Sequence, residues 1–477
     1  MEGMQPWWMS AKIYELYIDK FAGDLRGLTL RLDYFTALGI NTLHLLPHYP
    51  SPMVDDGYDI TDYRSVRPQL GTLDDFKILL VEAHARGIKI IIDFVLNHTS
   101  REHPWFLEAR QDSTSAKRGY YLWSTTATEF AKADNPFPDM KPHNWIYNSD
   151  TDDYYFATYY PGQPDLNWDN AEVFDAMLGH MEFWAALGVD GFRLDAVPHL
   201  VKREGTTCVG LPETHRVIKR IRARLEKNYP TVVLLAEAHQ TPALTKTYFG
   251  KGDECHLAYH FPLMEQLWLN ILLRKGDIAQ MIQDTYNIPK NCQWVTFLRN
   301  HDEISLRTLP AVESDQLVRA LDPEKRYLFR KGQTTCVRVA TALGGDESKI
   351  LAALRLLYEQ PGVPVMYYGD ELGMPNSSLT GDRFDTRRYV RGTFDWAHTD
   401  KQMADPDSLW HRVSLVIKSS HPIAHTAAHE GPGGKNNTTH LPAVRTPRAG
   451  RRRAPLDGKG AHVQPRVKRA PRSRRPL

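Results

Sequence analysis

A chain of 477 residues exceeds one ordinary domain, and about 150 residues per domain gives a prior near three. With 42% hydrophobic and 24% charged residues, a sizeable core is possible and global disorder is excluded. The formal charge of +2 hides an asymmetry: residues 421–477 hold 13 Lys and Arg against 2 Asp and Glu, a charge of +11, which leaves −9 on residues 1–420. A mildly acidic body gives no support to a nucleic-acid-binding core. No run of 18 apolar residues occurs, so no membrane span is expected. The opening MEGMQPWWMSAK lacks a basic start followed by an apolar stretch, and Cys208, Cys255, Cys292 and Cys336 share no CxxC spacing. The expectation is a cytoplasmic protein with reduced, mostly buried thiols.

In chain order, eight short apolar runs read as buried strands: 12–18, 41–46, 89–95, 189–194, 232–236, 254–261, 293–298 and 363–368. Their near-continuous hydrophobicity suits a parallel sheet covered on its outer face. Segments 73–86, 171–187 and 211–228 between them carry apolar spacings of three and four, and begin near Thr72, Asn170 or a proline. Strand–helix alternation repeated eight times predicts an α/β fold, a (β/α)₈ TIM barrel. An open doubly wound sheet would usually show a Gly-rich turn after its first strand, and none is present.

The connection after the third strand is far too long for a loop. It is rich in aromatics and Asp (YYLW, NWIYNSDTDDYYFATYY) and reads as an ordered insertion over the C-terminal face. The domain division is therefore 1–98 and 166–420 for the barrel and 99–165 for the inserted domain. Residues 421–477 have no Phe, Trp, Tyr or Met and eight prolines, which predicts a disordered basic tail.

Reacting groups of such barrels sit at the C-terminal ends of strands. There the third strand ends DFVLNH, the fourth GFRLDAVPH, the fifth LLAEAH and the seventh FLRNHD. These present His98, Arg193, Asp195, Glu237, His301 and Asp302. Any one strand-end carboxylate is more often a helix cap or an ion-pair partner. Three carboxylates, two histidines and an arginine on one rim carry like-charge repulsion that persists chiefly where it serves chemistry. Two carboxylates of different protonation plus a third anion suit glycoside cleavage.

These four segments, in order, resemble the signature regions of the α-amylase superfamily of glycoside hydrolases. The resemblance covers roughly residues 7–423 and includes QPDLN (163–167) and GVPVMYYGDELGM (362–374). It implies Asp195 as nucleophile, Glu237 as general acid/base and Asp302 as transition-state stabiliser. It further implies that Arg193 keeps Asp195 ionised and that His98 and His301 hydrogen-bond the sugar. Tyr58 would stack on the sugar ring and Asp55 would bind a hydroxyl at the closed end. After the eighth strand, GDRFDTRRYVRGTFDW departs from the pattern, with Asp385 and Arg391 left to supply hydroxyl contacts.

A finer resemblance is to trehalose synthases, carried by DAVPHLVKREGTTCVGLPETH (195–215), LLAEAHQ, YFGKGDECHLAYHFPLM (248–264) and CQWVTFLRNHDE (292–303). It implies a retaining α-glucosyl isomerase interconverting maltose and trehalose, with a retaining α-glucosidase on short α-glucosides as the alternative. It also implies a structural Ca²⁺ held by Asn97, Asp165, Glu204 and the backbone oxygens of His199 and Leu200. The expected partner is a small α-glucoside, and self-association is compatible with the sequence. A catalytically silent relative would usually lack one of the three carboxylates, and all three are present. The β-sandwich that usually follows such a barrel is expected to be missing.

Overall fold

The computed structural model describes residues 5–378 and 385–420. Each predicted run overlaps a parallel strand: β1 (Ile13–Leu16), β2 (Thr42–Leu45), β3 (Lys89–Val95), β4 (Gly191–Asp195), β5 (Val233–Ala236), β6 (Leu257–Tyr259), β7 (Gln293–Phe297) and β8 (Val363–Tyr367). They close into a barrel in chain order, with β1 pairing to both β2 and β8. The strands are buried along almost their whole length, as their largely apolar sequences require. The sixth run is cut short because His260 caps the helix Phe261–Leu273, its side chain accepting the Leu263 N–H.

Helices cover the outside where the spacing placed them. Leu73–Ala85 starts in a reciprocal capping box between Thr72 and Asp75. Ala171–Leu187 is capped by Asn170 and ends at left-handed Gly188 (φ 108°). Pro212–Asn228 opens on its proline, whose missing N–H costs nothing at that position.

Residues 99–165 form the helix Pro104–Gln111 and a three-stranded antiparallel sheet, ordered Trp123–Ser124, Asp153–Phe156, Trp145–Asn148. Backbone bridges His98–Asp165 and Tyr121–Leu166 bind this segment's end to the rim of the barrel. After β7 the chain adds a small hairpin, Leu328–Phe329 with Thr334–Thr335, which periodicity did not reveal. Phe329 packs with Phe137, Tyr160, Cys336 and Val390 in a satellite apolar cluster, so three excursions from the rim share one core.

Among the described residues no helix is long and apolar enough to cross a membrane. All four cysteines are free and buried. The tail from residue 421, and with it the expected missing sandwich, lies outside the described residues.

Gly191 shows how tightly the wall is packed. A Cβ there would lie 2.5 Å from Val233 Cγ2 and 3.2 Å from Ile91 Cγ1. Gly191→Ala is expected to lower stability by about 1–3 kcal/mol, the usual cost of overpacking. A denaturant midpoint equal to the parent's would show instead that the neighbouring strands yield freely.

Candidate active site

Alternation along β4 sends Arg193 and Asp195 to the same side, into the mouth of the barrel. Neighbouring β3 pairs Asp93 with Arg193 in register. The buried guanidinium then meets three carboxylates: Nη1 lies 2.6 Å from both Asp93 Oδ1 and Asp195 Oδ1, and Nη2 lies 2.5 Å from Glu237 Oε1. Glu237 directly follows β5, and its Oε2 accepts the Ala196 N–H at 3.1 Å. Ala196 has φ 48°, a left-handed conformation costing a non-glycine residue about 1–2 kcal/mol. That strain sits on the residue after Asp195 and aims its N–H at the second carboxylate.

Asp302 follows β7 and is held by three cations or potential cations. Its Oδ1 receives Arg391 Nη2 at 2.8 Å and Arg387 Nη1 at 3.1 Å, and its Oδ2 lies 3.3 Å from His301 Nε2. His301 is fixed from behind: Glu15 Oε1 accepts its backbone N–H at 2.8 Å and lies 3.0 Å from Nδ1. Tyr58 links the two halves. Its hydroxyl donates to Asp93 Oδ2 at 3.0 Å and lies 2.7 Å from His301 Nε2, while its ring stacks on the His301 imidazole at 5.3 Å.

Asp195, Glu237 and Asp302 line one cavity, together with Asp55, Tyr58 and His98. Its empty volume is about 840 Å³ with the open mouth included. Pro136, Phe137 and Tyr159 of residues 99–165 form part of the wall, as the position of that segment implied. His98 faces the cavity with Nε2 3.2 Å from the Tyr58 carbonyl, and burial lowers its pKa to about 4. It is a neutral imidazole at ordinary pH, suited to hydrogen bonding with a hydroxyl.

Arg193, His301 and Arg391 do not line the cavity. Each is bonded to a residue that does: Arg193 to Asp195, His301 to Tyr58 and Arg391 to Asp302. Tyr58 is itself committed to His301, which leaves its edge and outer face for a ligand.

The residue that sequence reasoning missed is Arg387. It lines the cavity, with Nη2 2.7 Å from Asp55 Oδ1 and 2.9 Å from Asp385 Oδ2. Gln163 of the QPDLN segment donates to the other Asp55 oxygen at 3.0 Å. These bonds build the closed end. Spacing alone did not separate Arg387 from its exposed neighbour Arg388, because the short helical turn Thr386–Val390 decides which one faces inward.

The carboxylates are driven apart in protonation. Burial pushes Asp195 and Glu237 upward, and the one Arg193 charge, divided among three carboxylates, does not offset it for either. Arg193 therefore does not by itself keep Asp195 ionised, and the pair titrates as a unit that retains a proton above the ordinary carboxylate range. Asp302 is only half-buried, and His301, Arg387 and Arg391 outweigh its desolvation and hold it well below the usual range. One shared proton beside a permanently ionised third carboxylate is the state that acid-assisted glycosyl transfer needs.

The residues expected to hold calcium are arranged otherwise. Asn97 Oδ1, Asp165 Oδ2 and the His199 carbonyl converge, but on the ammonium of Lys202. Glu204 is exposed and accepts the Phe130 N–H at 2.6 Å. Among the described residues no group of three or more His, Cys, Asp or Glu is placed to hold a metal. The donor set as it stands does not fit a calcium ion, because a cation of the chain fills the point its oxygens share.

The catalytic-domain model of α-amylases matches residues 10–329, more than half of the chain. The chain belongs to the α-amylase family. Among its family relatives, the trehalose synthase of Thermus thermophilus is 41% identical over 428 residues, covering 88% of this chain. The chain spans only 43% of that relative's length. The trehalose synthase/amylase of Mycobacterium tuberculosis is 40% identical over 468 residues, covering 95% of this chain and 76% of its own length. Among solved structures, a trehalulose synthase in complex with Tris is 24% identical and superposes with a TM-score of 0.70, covering 87% of this chain and 84% of the other. That likeness shows the shared fold.

Arg387→Ala opens the closed end while leaving Asp195, Glu237 and their Arg193 contacts in place. The expected outcome is a KM for short α-glucosides raised at least tenfold, about 1.4 kcal/mol of lost binding. An unchanged KM would remove Arg387 from the substrate site.

Proposed function

We propose that the protein is a retaining α-glucosyl isomerase that converts maltose to trehalose and back through a glucosyl ester on Asp195. The observation that carries this reading is one cavity in which Asp195, Glu237 and Asp302 converge beside a closed end. Kinship with trehalose synthases at 40–41% identity supports the choice of disaccharide.

In the first step a carboxylate oxygen of Asp195 attacks the anomeric carbon of the non-reducing glucose. The bond from that carbon to the bridging oxygen breaks, and the proton retained by the pair passes through Glu237 to the departing oxygen. Positive charge developing on the sugar is matched by Asp302, which stays ionised throughout. In the second step the released glucose turns within the cavity and its 1-hydroxyl attacks the esterified carbon. The proton of that hydroxyl returns to Glu237, and Asp195 leaves as carboxylate. Two displacements at one carbon retain the α configuration.

Water in place of glucose turns the second step into hydrolysis, so the isomerase depends on enclosure. The wall supports it: Phe137 and Tyr159 of the insertion line it, and Arg330, whose guanidinium lies 5.4 Å from the Phe137 ring centre, is paired with Glu303 at 2.6 Å. A hydrolytic side reaction is the expected leak, and the name of the mycobacterial relative carries both activities. Four buried free thiols support a cytoplasmic setting.

Incubation with maltose is expected to give trehalose in excess of free glucose by chromatography. Glucose as the sole product would replace the isomerase with an α-glucosidase. Asp195→Asn is expected to lose at least a thousandfold in kcat with its fold intact by circular dichroism, and appreciable residual turnover would overturn the nucleophile. The pH profile of kcat/KM carries its own test. The retained proton is lost as pH rises through the raised pKa of the pair, so activity falls on the alkaline side, at a pH above that of an ordinary glutamate. Glu237→Gln, assayed with glucosyl fluoride, whose leaving group needs no proton, should lack that alkaline limb. Persistence of the limb would assign the proton elsewhere.

A further inference from the structure

We infer that the Lys202 ammonium is a built-in cation standing where the family resemblance places calcium, so that the join between barrel and insertion needs no divalent ion. The inference rests on geometry away from the reacting carboxylates and does not depend on which glucoside is turned over.

The Lys202 side chain is 1% exposed, a position lysine rarely takes unless its charge is fully met. An ammonium has three N–H donors, and three oxygens surround this one: Asp165 Oδ2 at 2.6 Å, Asn97 Oδ1 at 2.9 Å and the His199 carbonyl. They come from three separate segments. Asn97 follows β3, Asp165 lies at the end of the insertion, and His199 closes the turn Val197–His199 after β4. Their convergence is the tripod of oxygens that a hard cation would organise. The remaining Asp165 oxygen accepts the Thr158 N–H at 2.9 Å, so the carboxylate has little left to offer a second cation.

Charge decides between the two occupants. One buried carboxylate balances one ammonium. A divalent ion added beside Lys202 would set three positive charges against Asp165, with the Lys141 ammonium, bonded to Asn135 and Asn144, also close enough to act on that carboxylate. Glu204, which would have to bring the second negative charge, faces away. The ammonium also connects to the cavity. Asn97 Nδ2 lies 3.3 Å from His98 Nδ1, and both His98 and His199 line the pocket, so Lys202 is a positioning residue for that wall.

The test is thermal unfolding of the full chain in EGTA and in calcium chloride, with metal analysis of the purified protein. The wild type is expected to show one midpoint in both buffers and no stoichiometric calcium. Lys202→Met, which keeps the stem and removes the charge, should unfold several degrees lower in both. Lys202→Glu should be destabilised in EGTA and regain stability in calcium, a response that loss of packing alone cannot produce. A wild-type midpoint that drops in EGTA, or bound calcium in the wild type, would overturn the inference. So would an unshifted Lys202→Met midpoint, and a Lys202→Glu variant indifferent to calcium would show that this point is not the ion's position. None of these readouts uses turnover, so their failure is separable from failure of the isomerase reading.

Discussion

The site depends on one buried guanidinium. Asp93, Asp195 and Glu237 cannot share a dry barrel mouth as free anions, because each would carry a desolvation cost of several kcal/mol and repel the others. Arg193 touches all three, and the charge pattern continues outward from it. His44 lies 3.1 Å from Asp93 on one side and 3.1 Å from Glu15 on the other, and those two carboxylates hold its pKa up to about 9 against burial. Glu15 in turn fixes His301, which braces Asp302. Anions and cations alternate through the barrel's upper layer, so the repulsion between reacting groups is offset locally. His44 shares Asp93 with Arg193, whereas for Asp195 and Glu237 the guanidinium does not offset burial, and both carboxyls are held above the ordinary range.

Parallel register is what makes this arrangement possible. In a closed barrel the strands end at similar heights with inward residues at matched levels, so residues distant in sequence meet across a few ångströms. Asp93 opposite Arg193, and Val95 opposite Asp195, are such pairs. Glu237 on the next strand end follows from the same geometry, its backbone N–H donating to the Leu194 carbonyl at 3.2 Å. The strained Ala196 is the one place where the backbone itself bends to bring a donor to Glu237.

This geometry also sets how far the sequence could be read. Strands were legible because burial on both faces demands largely apolar runs, and Asp195, Glu237 and Asp302 because polar residues stand out where such runs end. Glu15 and His44 were not legible. Each sits inside an apolar strand, IYEL and TLHL, and its role appears only when Asp93 and His301 are placed beside it. Arg387 was hidden among arginines whose facing depends on one short turn. Lys202 was not legible either: it lies two positions before Glu204, and only the fold brings its ammonium to Asn97 and Asp165.

A cation tethered by its own side chain changes what the pocket wall depends on. An isomerase must keep water from the glucosyl ester for as long as glucose takes to turn, which calls for a wall that stays in place between the two displacements. Phe137 and Tyr159 belong to the insertion, Phe329 to the hairpin after β7, and Val390 to the turn that carries Arg387. Their shared apolar cluster fixes these excursions to one another, and the bridge from His98 to Asp165 fixes the insertion to β3. With calcium at the join, the fraction of closed wall would follow the ion's concentration through mass action. With Lys202 there, the cation is present at unit stoichiometry in every folded molecule, and enclosure becomes a property of the fold alone.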